Sequence, residues 1–524
     1  MVRFSKSSES GGRGVLADSA ELQVLGRADG SDAISYGFRI MQTGIAFTTA
    51  ILNLGAITWV AELVALVVVL RGAVLLGQGV RGRAFFESLN AGWFEPEQLP
   101  ITITVIVVVA VLGVLGYAAF QAFAYGGLYG CGFQLARGNP VDIRTYVSIG
   151  WKRFRPCFST AIVCDLIQIL AIVPFVFMGF LTLRSLAGVE TLSIPELLTV
   201  IRTLVGILVA GIATLLLVRF LLMYALPAAA VEGYGGLRAV LRSLAVVKRT
   251  LGDSLLYGFL YALLLIALVV VFGATQILAS LQYPVLATAF GIVEVVAFFI
   301  LLLLMPGLQA GRMLLYCTAV GEPVVQYPIQ RPSVRKLLSD SFREFFSYLG
   351  SDIGVIAFCL MVGLFFTGVG LGWWLGGQLQ ITLRDLHRVV QPTTAFEPGG
   401  IAINNWRVAV GSAVSPLAPL ISILNGVIVG LVAYLVAIER GGYLALVALA
   451  PHGVLELFVV FAVMSRFVAL VRRLLQAIAL NDPEPLAWEL RGLLRMAVLA
   501  VPLLLAAALI EVLVTPLLVG AVLG

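Results

Sequence analysis

Long stretches without any charged residue are the feature that most limits how this chain can fold. The run from Ile101 to Ala136 contains no Asp, Glu, Lys or Arg, and neither does the run from Ser254 to Val293. A bilayer core about 30 Å thick is crossed by about 20 apolar residues in a helix. Charged residues make up 12% of the chain, against about 25% in soluble domains. The sequence therefore predicts an all-α fold, a polytopic bundle of transmembrane helices.

Six apolar segments in the first part of the chain are long enough to cross a membrane. We predict the spans at about 57–76, 101–120, 157–180, 204–226, 255–278 and 289–308. Lys and Arg collect in the loops at 137–155 and 238–249, whereas the first loop and the loop at 190–196 carry glutamates. Because cytoplasmic loops are enriched in Lys and Arg, we expect both basic loops, and with them the N terminus, in the cytoplasm of a multi-pass cell-membrane protein.

Composition divides the chain into four parts. Residues 1–32 are rich in Ser, Gly, Asp and Arg and lack the apolar core of a signal peptide, so we expect a disordered cytoplasmic tail. A six-span membrane domain follows at 33–322. The polar, Pro-containing segment 323–350 is predicted to be a cytoplasmic linker with an amphipathic helix, and 351–524 forms a second membrane domain.

Two basic segments have apolar residues at helical spacing. The first set is Leu237, Val240, Leu241, Leu244 and Val247, and the second is Val334, Leu337, Leu338, Phe345 and Phe346. Basic amphipathic helices of this kind lie in the membrane interface. Plain loop helices without lipid contact are the alternative interpretation.

Residue types that carry metal and catalytic chemistry are scarce. There are two histidines, His387 and His452, and the five cysteines form no CxxC pair, so we expect no metal site and no cofactor. No GxSxG, HExxH or Walker motif is present, and the sequence favours a protein that is not an enzyme. We interpret His387, in a polar loop, as a surface residue.

The net charge of +6 is spread beside apolar segments and not pooled in one block. This distribution favours membrane topology over nucleic-acid binding. The expected partners are membrane lipids and other membrane or membrane-associated proteins.

Prolines and four short motifs mark the second membrane domain. We expect Pro416 and Pro419, Pro451 with Gly453, and Pro502 with Pro516 to interrupt its helices. The motifs, in chain order, are Asn404-Asn405-Trp-Arg407, Asn425-Gly426, Pro451-His452-Gly453-x-x-Glu456 and Ile-Glu511-x-x-x-Thr-Pro516.

These four ordered motifs resemble the stage II sporulation protein M family, over about 333–524. The family's namesake is a membrane partner of cell-wall hydrolases during engulfment in spore-forming bacteria. The resemblance implies a membrane component, as in a larger complex, and supplies no reaction. The extra six-span part departs from the namesake.

The first membrane domain also has a recognisable layout. Its elements are the stretch from Gly132 to Pro140, the segment from Tyr146 to Arg155, and Leu226-Pro227 followed by Arg238-x-x-x-Arg242. They resemble the polytopic membrane domain attached to some glycerophosphodiester phosphodiesterases, over about 33–322. No phosphodiesterase catalytic barrel is present, so no such activity is implied.

Ionisable groups inside a membrane cost about 2.5–3.5 kcal/mol each on insertion scales and usually face a partner. We therefore predict a polar intramembrane site at helix interruptions. Its members are His452, Glu456 and Glu511, with Asn404, Asn405, Arg407 and Asn425 as partners; the interruptions are at Pro451, Gly453, Gly426 and Pro516. The site either binds a substrate or proton or only locks helices together, with Asn425-Gly426 as a close-packing contact.

Five further charges fall within the predicted spans of the first domain: Glu62, Arg71, Asp165, Arg219 and Glu294. Two bases and three acids are able to neutralise one another by pairing within the bundle. A proton or ion path is the other interpretation.

Three functions fit the sequence. The favoured one is a non-catalytic component or scaffold of a membrane complex. The alternatives are a transporter or permease with its polar site at the interrupted helices, and an intramembrane enzyme using His452 and Glu456.

Overall fold

A computed structural model shows how these segments fold. It describes residues 24–25, 29–41, 43–80, 88, 99–184, 194–279, 284–322, 324–325, 333–379 and 398–523. Most of the predicted tail, the glutamates of the first loop, Glu190 of the third loop and His387 lie outside the described residues. The other glutamate of the third loop, Glu196, lies in the first turn of a helix. The chain is an all-α bundle apart from two very short strands.

The described residues of the first part of the chain form ten helices. They are α1 Gly30–Met41, α2 Gly44–Gly77, α3 Leu99–Ala136, α4 Ile143–Lys152, α5 Phe154–Arg184, α6 Ile194–Leu221, α7 Ala225–Glu232, α8 Leu237–Arg249, α9 Leu251–Ala279 and α10 Pro284–Val320. The six predicted spans coincide with α2, α3, α5, α6, α9 and α10, although the fourth runs past the end of α6 into α7. The strands β1 Val24–Leu25 and β2 Val324–Val325 pair antiparallel, with Val24 opposite Val325.

In the second part, residues 333–379 and 398–523 form seven helices and one wider turn. They are α11 Val334–Leu349, α12 Asp352–Leu379, α13 Pro398–Val414, α14 Ala418–Arg440, α15 Gly442–Leu480, α16 Glu484–Leu509, a π-helical turn Ile510–Val514 and α17 Thr515–Leu523. Among the described residues, nine helical segments are long and apolar enough to cross a membrane. The protein is therefore a multi-pass membrane protein.

Ion pairs and hydrogen bonds gather the basic segments at one end of the bundle. Arg144 pairs with Glu484 at 2.7 Å and Arg491 with Asp142 at 3.7 Å, which joins the start of α4 to the start of α16. The short helix α7 joins the same layer where the Arg153 guanidinium donates to the carbonyl of Val231 at 3.1 Å. We call this end, which carries α4, α7, α8, α11 and the α15–α16 turn, the basic end.

Asp142, the residue before the first turn of α4, leads to a prediction about the pH dependence of stability. Asp142 caps α4 by accepting hydrogen bonds from the backbone N–H and hydroxyl of Thr145, both at 2.8 Å. Partial burial raises the pKa of Asp142, but these hydrogen bonds, with Arg491 and Arg144, outweigh it and hold the pKa below its ordinary value of 3.8. A carboxyl group whose pKa is lower in the folded state than in the unfolded state stabilises the fold at pH values above its unfolded-state pKa. This stabilisation is lost as the pH falls through its folded-state pKa.

We therefore expect Asp142→Ala to lower the free energy of unfolding by about 1 kcal/mol at pH 7, the usual cost of losing an N-cap. The difference from the unchanged protein should shrink as pH falls below about 4. Unfolding in detergent at a series of pH values measures it. A difference that stays constant down to pH 2 would contradict the assignment.

Helices α12 and α14 run side by side in the same direction. The carbonyl of Phe365 lies against Gly426 and that of Val369 against Gly430, so residue numbers rise together along both helices. The ends of α2, α12 and α14 meet in a cluster of Leu75, Leu379 and Leu435. Because α12 and α14 are parallel, the segment between them, which includes α13, must return the chain across the bundle.

This return settles the direction of α15. Helix α14 ends away from the basic end, and α15 runs back to it, where Arg466 meets α11. The region from Asn404 to Val436 thus holds two helices separated at Ser415-Pro416-Leu417, and the arginines after Pro451 lie at the same end as the other basic segments.

The parallel pair depends on glycines spaced four apart, which let helix backbones approach closely. A Cβ at Gly426 would lie 3.0 Å from the Cα of Gly368 and closer still to the carbonyl oxygen of Phe365. We expect Gly426→Ala to force α12 and α14 apart and to lower the free energy of unfolding by about 1–3 kcal/mol. Unfolding in mixed micelles measures the loss.

Gly370→Ala is the matched control on α12, because a Cβ there would meet nothing within 4 Å. It should leave stability unchanged or slightly higher, since alanine favours helix over glycine. Equal effects of the two substitutions would argue against close packing at Gly426.

The expected interruptions at prolines are only partly present. The chain does break at Pro416, but α15 continues through Pro451 and Gly453, α14 through Gly426, and α16 through Pro502. A single proline removes one N–H, and membrane helices tolerate it where neighbouring groups compensate. At the break, Pro416 and Pro419 lie three residues apart, and the residue before each is disfavoured in helix.

Each of the two basic amphipathic helices has some apolar residues that are buried and some that are exposed. On α8, Val240 and Val247 are buried, whereas Leu237 and Leu241 are about two-thirds exposed. On α11, Phe345 is buried and Phe346 is exposed. Both segments are helices as predicted, and each packs part of its apolar set on the bundle and leaves the rest uncovered.

Candidate functional site

Helix α13 turns a tryptophan inward and its polar neighbours outward. Trp406 is 1% exposed, and its indole N–H donates to the carbonyl of Ala497 on α16 at 2.8 Å. Asn404 and Arg407 are exposed, and Asn405 is half-buried. Asn404 and Arg407 therefore lie away from the buried side of α13.

Trp406 also joins the second part of the chain to the first. Its ring lies 4.8 Å from that of Phe299 and 6.0 Å from that of Phe298, both on α10, in edge-to-face contacts. The ring of Phe47 on α2 stacks on it at 6.5 Å. The motif around Asn404 thus supplies an anchor that sequence reasoning did not single out.

The second motif, Asn425-Gly426, lies in the α12–α14 contact. Gly426 packs directly on α12, and Asn425 beside it is half-buried. This position matches the close-packing interpretation.

The third and fourth motifs meet where the π-helical turn packs against α15. Glu511 lies in this turn and Glu456 on α15; both are half-buried, and their carboxylates are near enough to interact electrostatically. The hydroxyl of Thr515 donates to the carbonyl of Ile510 at 3.4 Å, as the wider turn allows. The backbone of His452 belongs to α15, but its side chain lies outside the described part.

The wider turn has a local cause. Pro516 has no N–H to offer the preceding turn, and its ring crowds the carbonyl four residues earlier. A π-helical turn relieves that crowding and re-aims side chains, and such turns are frequent at functional sites. The interruption expected at Pro516 is thus a change of helical pitch and not a break.

Two neighbouring carboxylates in a membrane favour sharing a proton or holding a cation between them, because like charges repel strongly there. A three-ligand metal site is not formed by the residues that the structure describes, which contain no group of three or more His, Cys, Asp or Glu. Glu456 and Glu511 are therefore a two-carboxylate site.

The charges of the first part have varied partners. Glu62 is 2% exposed and accepts a hydrogen bond from the hydroxyl of Ser415, in the break between α13 and α14. Asp165 interacts electrostatically with Arg219. The neutralisation expected among these charges is therefore only partial, because Glu62 binds a distant serine.

The other two charges also lie in defined surroundings. A guanidinium N–H of Arg71 donates to the carbonyl of Ser88 at 2.7 Å. Glu294 is buried, at 3% exposure, within α10.

A buried ionic cluster at the basic end was not anticipated. Arg466 on α15 donates to Glu344 on α11 and to Glu489 on α16, and its guanidinium lies 4.0 Å from the ring centre of Tyr348. We call these four residues the Arg466 cluster. A sequence signal existed, since Arg466 stands within an otherwise uncharged run from Leu457 to Val471.

Gly492 makes room for this cluster. A Cβ at that position would lie 2.5 Å from one guanidinium nitrogen of Arg466 and 2.7 Å from a carboxylate oxygen of Glu344. Only glycine on α16 lets the three helices close around the charge.

Comparison with known proteins bears on the second part only. A family model described as stage II sporulation protein M matches residues 361–516. No curated protein and no solved structure matches the chain. The resemblance of the first part to membrane domains of glycerophosphodiester phosphodiesterases is not supported. The match spans α13–α16 and the π-helical turn, and thus contains both carboxylates of the pair; over these residues the chain is similar to the stage II sporulation protein M family.

Proposed function

We propose that this chain is a non-catalytic component of a membrane complex, with its N terminus and basic end in the cytoplasm. The Arg466 cluster is the observation that carries the proposal. It uses a buried charge to tie together α11, α15 and α16. A buried charge that holds three helices together favours a rigid scaffold over a transporter, whose helices must move.

The uncovered apolar residues at the basic end supply the second support. Phe342 and Phe346 on α11 stack at 6.4 Å and are 48% and 60% exposed. Exposed apolar patches mark protein or membrane interaction sites. The helix also carries exposed basic residues, Arg335, Lys336 and Arg343. We infer that α11 is where a membrane-associated partner docks.

The orientation follows from charge. The basic loops and α11 share one end, and positive residues favour the cytoplasmic side. Cysteines introduced near Lys248 should therefore react with a membrane-impermeant reagent only after the cells are opened. Labelling in intact cells would mean that the basic end lies outside the cell, opposite to this proposal.

Docking is tested by native electrophoresis of complexes extracted in mild detergent. The unchanged chain should run in a complex larger than its own 56.0 kDa, and the variant with Phe342→Ser and Phe346→Ser should run alone. Phe342→Leu and Phe346→Leu are the control pair, because they keep the apolar area. A complex that survives the serine pair would exclude α11 as the docking site.

A transporter is the second candidate, and the Glu456–Glu511 pair favours it. Carboxylates inside a membrane are typical of proton and ion routes. Purified chain in vesicles is expected to show no flux of protons or cations that depends on this pair. Flux abolished by Glu456→Gln and Glu511→Gln, with assembly intact, would establish the transporter and overturn the scaffold.

A further inference from the structure

A large cavity lies between the two parts of the chain at the basic end. Its volume is about 910 Å³, within the range of about 300–1,000 Å³ that is usual for ligand sites. The first part contributes walls from α2 to α5. The second part contributes the break at Pro416 and the stretch of α15 and α16 around their turn.

The cavity is apolar inside and basic at one side. Phe120, Phe123 and Leu470 are among its apolar walls, whereas Lys152 and Arg155 are the only charged residues among the described ones that line it. Both basic side chains are exposed, and neither has a carboxylate partner in the part of the chain that the structure describes. The cavity thus offers two uncompensated positive charges beside an apolar interior.

The surface around the cavity is also apolar. Leu475, Ile478 and Leu480 are 61%, 59% and 69% exposed. They lie on α15 beyond the buried Arg466, towards the α15–α16 turn. Trp151 lines the cavity next to Lys152, and tryptophan is enriched at the level of lipid headgroups. These features place the cavity where headgroups and acyl chains meet.

This combination identifies the chemistry of the occupant. A free anion would be attracted by Lys152 and Arg155 but would leave the apolar walls uncovered. A neutral lipid would cover the walls but leave both charges without a partner. We propose that the cavity binds one anionic phospholipid, with its headgroup at Lys152 and Arg155 and an acyl chain between α3 and α15.

Such a lipid would contact both parts of the chain at once. A ligand that binds only the folded protein stabilises it by an amount that grows with the ratio of ligand concentration to dissociation constant. At equal concentration, anionic phospholipid should therefore raise the unfolding temperature of the protein more than phosphatidylcholine does.

The test is native mass spectrometry of the full chain in a neutral detergent. Phosphatidylglycerol and phosphatidylcholine with identical chains are titrated separately, and inorganic phosphate is the third arm. We expect phosphatidylglycerol to bind about tenfold more tightly than phosphatidylcholine, since two basic side chains each attract the headgroup. Inorganic phosphate should not compete.

Paired variants locate the site. Lys152→Gln with Arg155→Gln should remove the preference for phosphatidylglycerol. Arg238→Gln with Lys248→Gln is the matched control, because these exposed basic residues lie on α8, outside the cavity lining. Both pairs change surface residues only, so folding should be retained, and the unfolding temperature without lipid verifies it.

Leu474→Trp, which fills the apolar side of the cavity, should weaken binding of both lipids. Three results would overturn the proposal. They are equal binding of the two lipids, an unchanged preference in the Lys152 and Arg155 pair, and competition by inorganic phosphate.

Discussion

Replacing Arg466 with methionine should lower the free energy of unfolding by about 3–5 kcal/mol, the usual cost of removing one partner from a buried ion pair. Arg466 is 3% exposed, and its loss takes the buried cation from between Glu344 and Glu489. Only two less buried arginines then remain near them, Arg495 at 3.6 Å from Glu344 and Arg473 at 4.0 Å from Glu489. Their repulsion adds to the cost of keeping them from water. Unfolding by denaturing detergent in mixed micelles measures the difference.

Two comparisons separate charge from packing. Arg472→Met changes an exposed arginine on the same helix and should alter stability by no more than about 0.5 kcal/mol. Adding Glu344→Gln and Glu489→Gln to Arg466→Met should recover most of the loss, because no carboxylate is then left without its buried partner. If Arg466→Met costs less than about 1 kcal/mol, the cluster does not hold the three helices together.

The membrane spans could be predicted from the sequence because they depend on local composition. Apolar runs of sufficient length, with few charges or none, predict α2, α3, α5, α6, α9 and α10 wherever these helices pack. The helices extend beyond the predicted spans, however. Helix α3 continues from Phe120 to Ala136, where Gly127 packs on Tyr146 and Gly130 on Ile149 of α4. These contacts add a layer at the basic end that hydropathy alone does not reveal.

The partners of buried polar residues could not be predicted, because they depend on tertiary packing. Pairing among three acids and two bases was the expectation for the first part, yet Glu62 accepts its hydrogen bond from Ser415 in the other part of the chain. Pro451 and Pro416 look alike in sequence, but only the second interrupts a helix. Glu456 and Glu511 do approach each other as their motifs suggested, whereas Asn404 and Arg407 face outward.

The join between the two parts is the largest feature that sequence reasoning missed, and Trp406 tests it. Trp406→Ala should cost about 3–5 kcal/mol, as large-to-small changes at buried aromatic sites do. The substitution removes contacts with Phe47, Phe298 and Phe299 and leaves a cavity between α2, α10 and α13. The same unfolding measurement applies.

Two variants make the result specific to this join. Trp406→Phe keeps one aromatic ring but loses the second ring of the indole and the hydrogen bond to Ala497, so it should cost about 1–3 kcal/mol, less than the alanine variant. Trp374→Ala removes an indole that is 59% exposed on α12 and should change stability by about 0.5 kcal/mol or less. If Trp406→Ala costs no more than Trp374→Ala, the aromatic cluster contributes little to joining the parts. A cost that follows the predicted order would mean that the first part of the chain stabilises the part similar to stage II sporulation protein M.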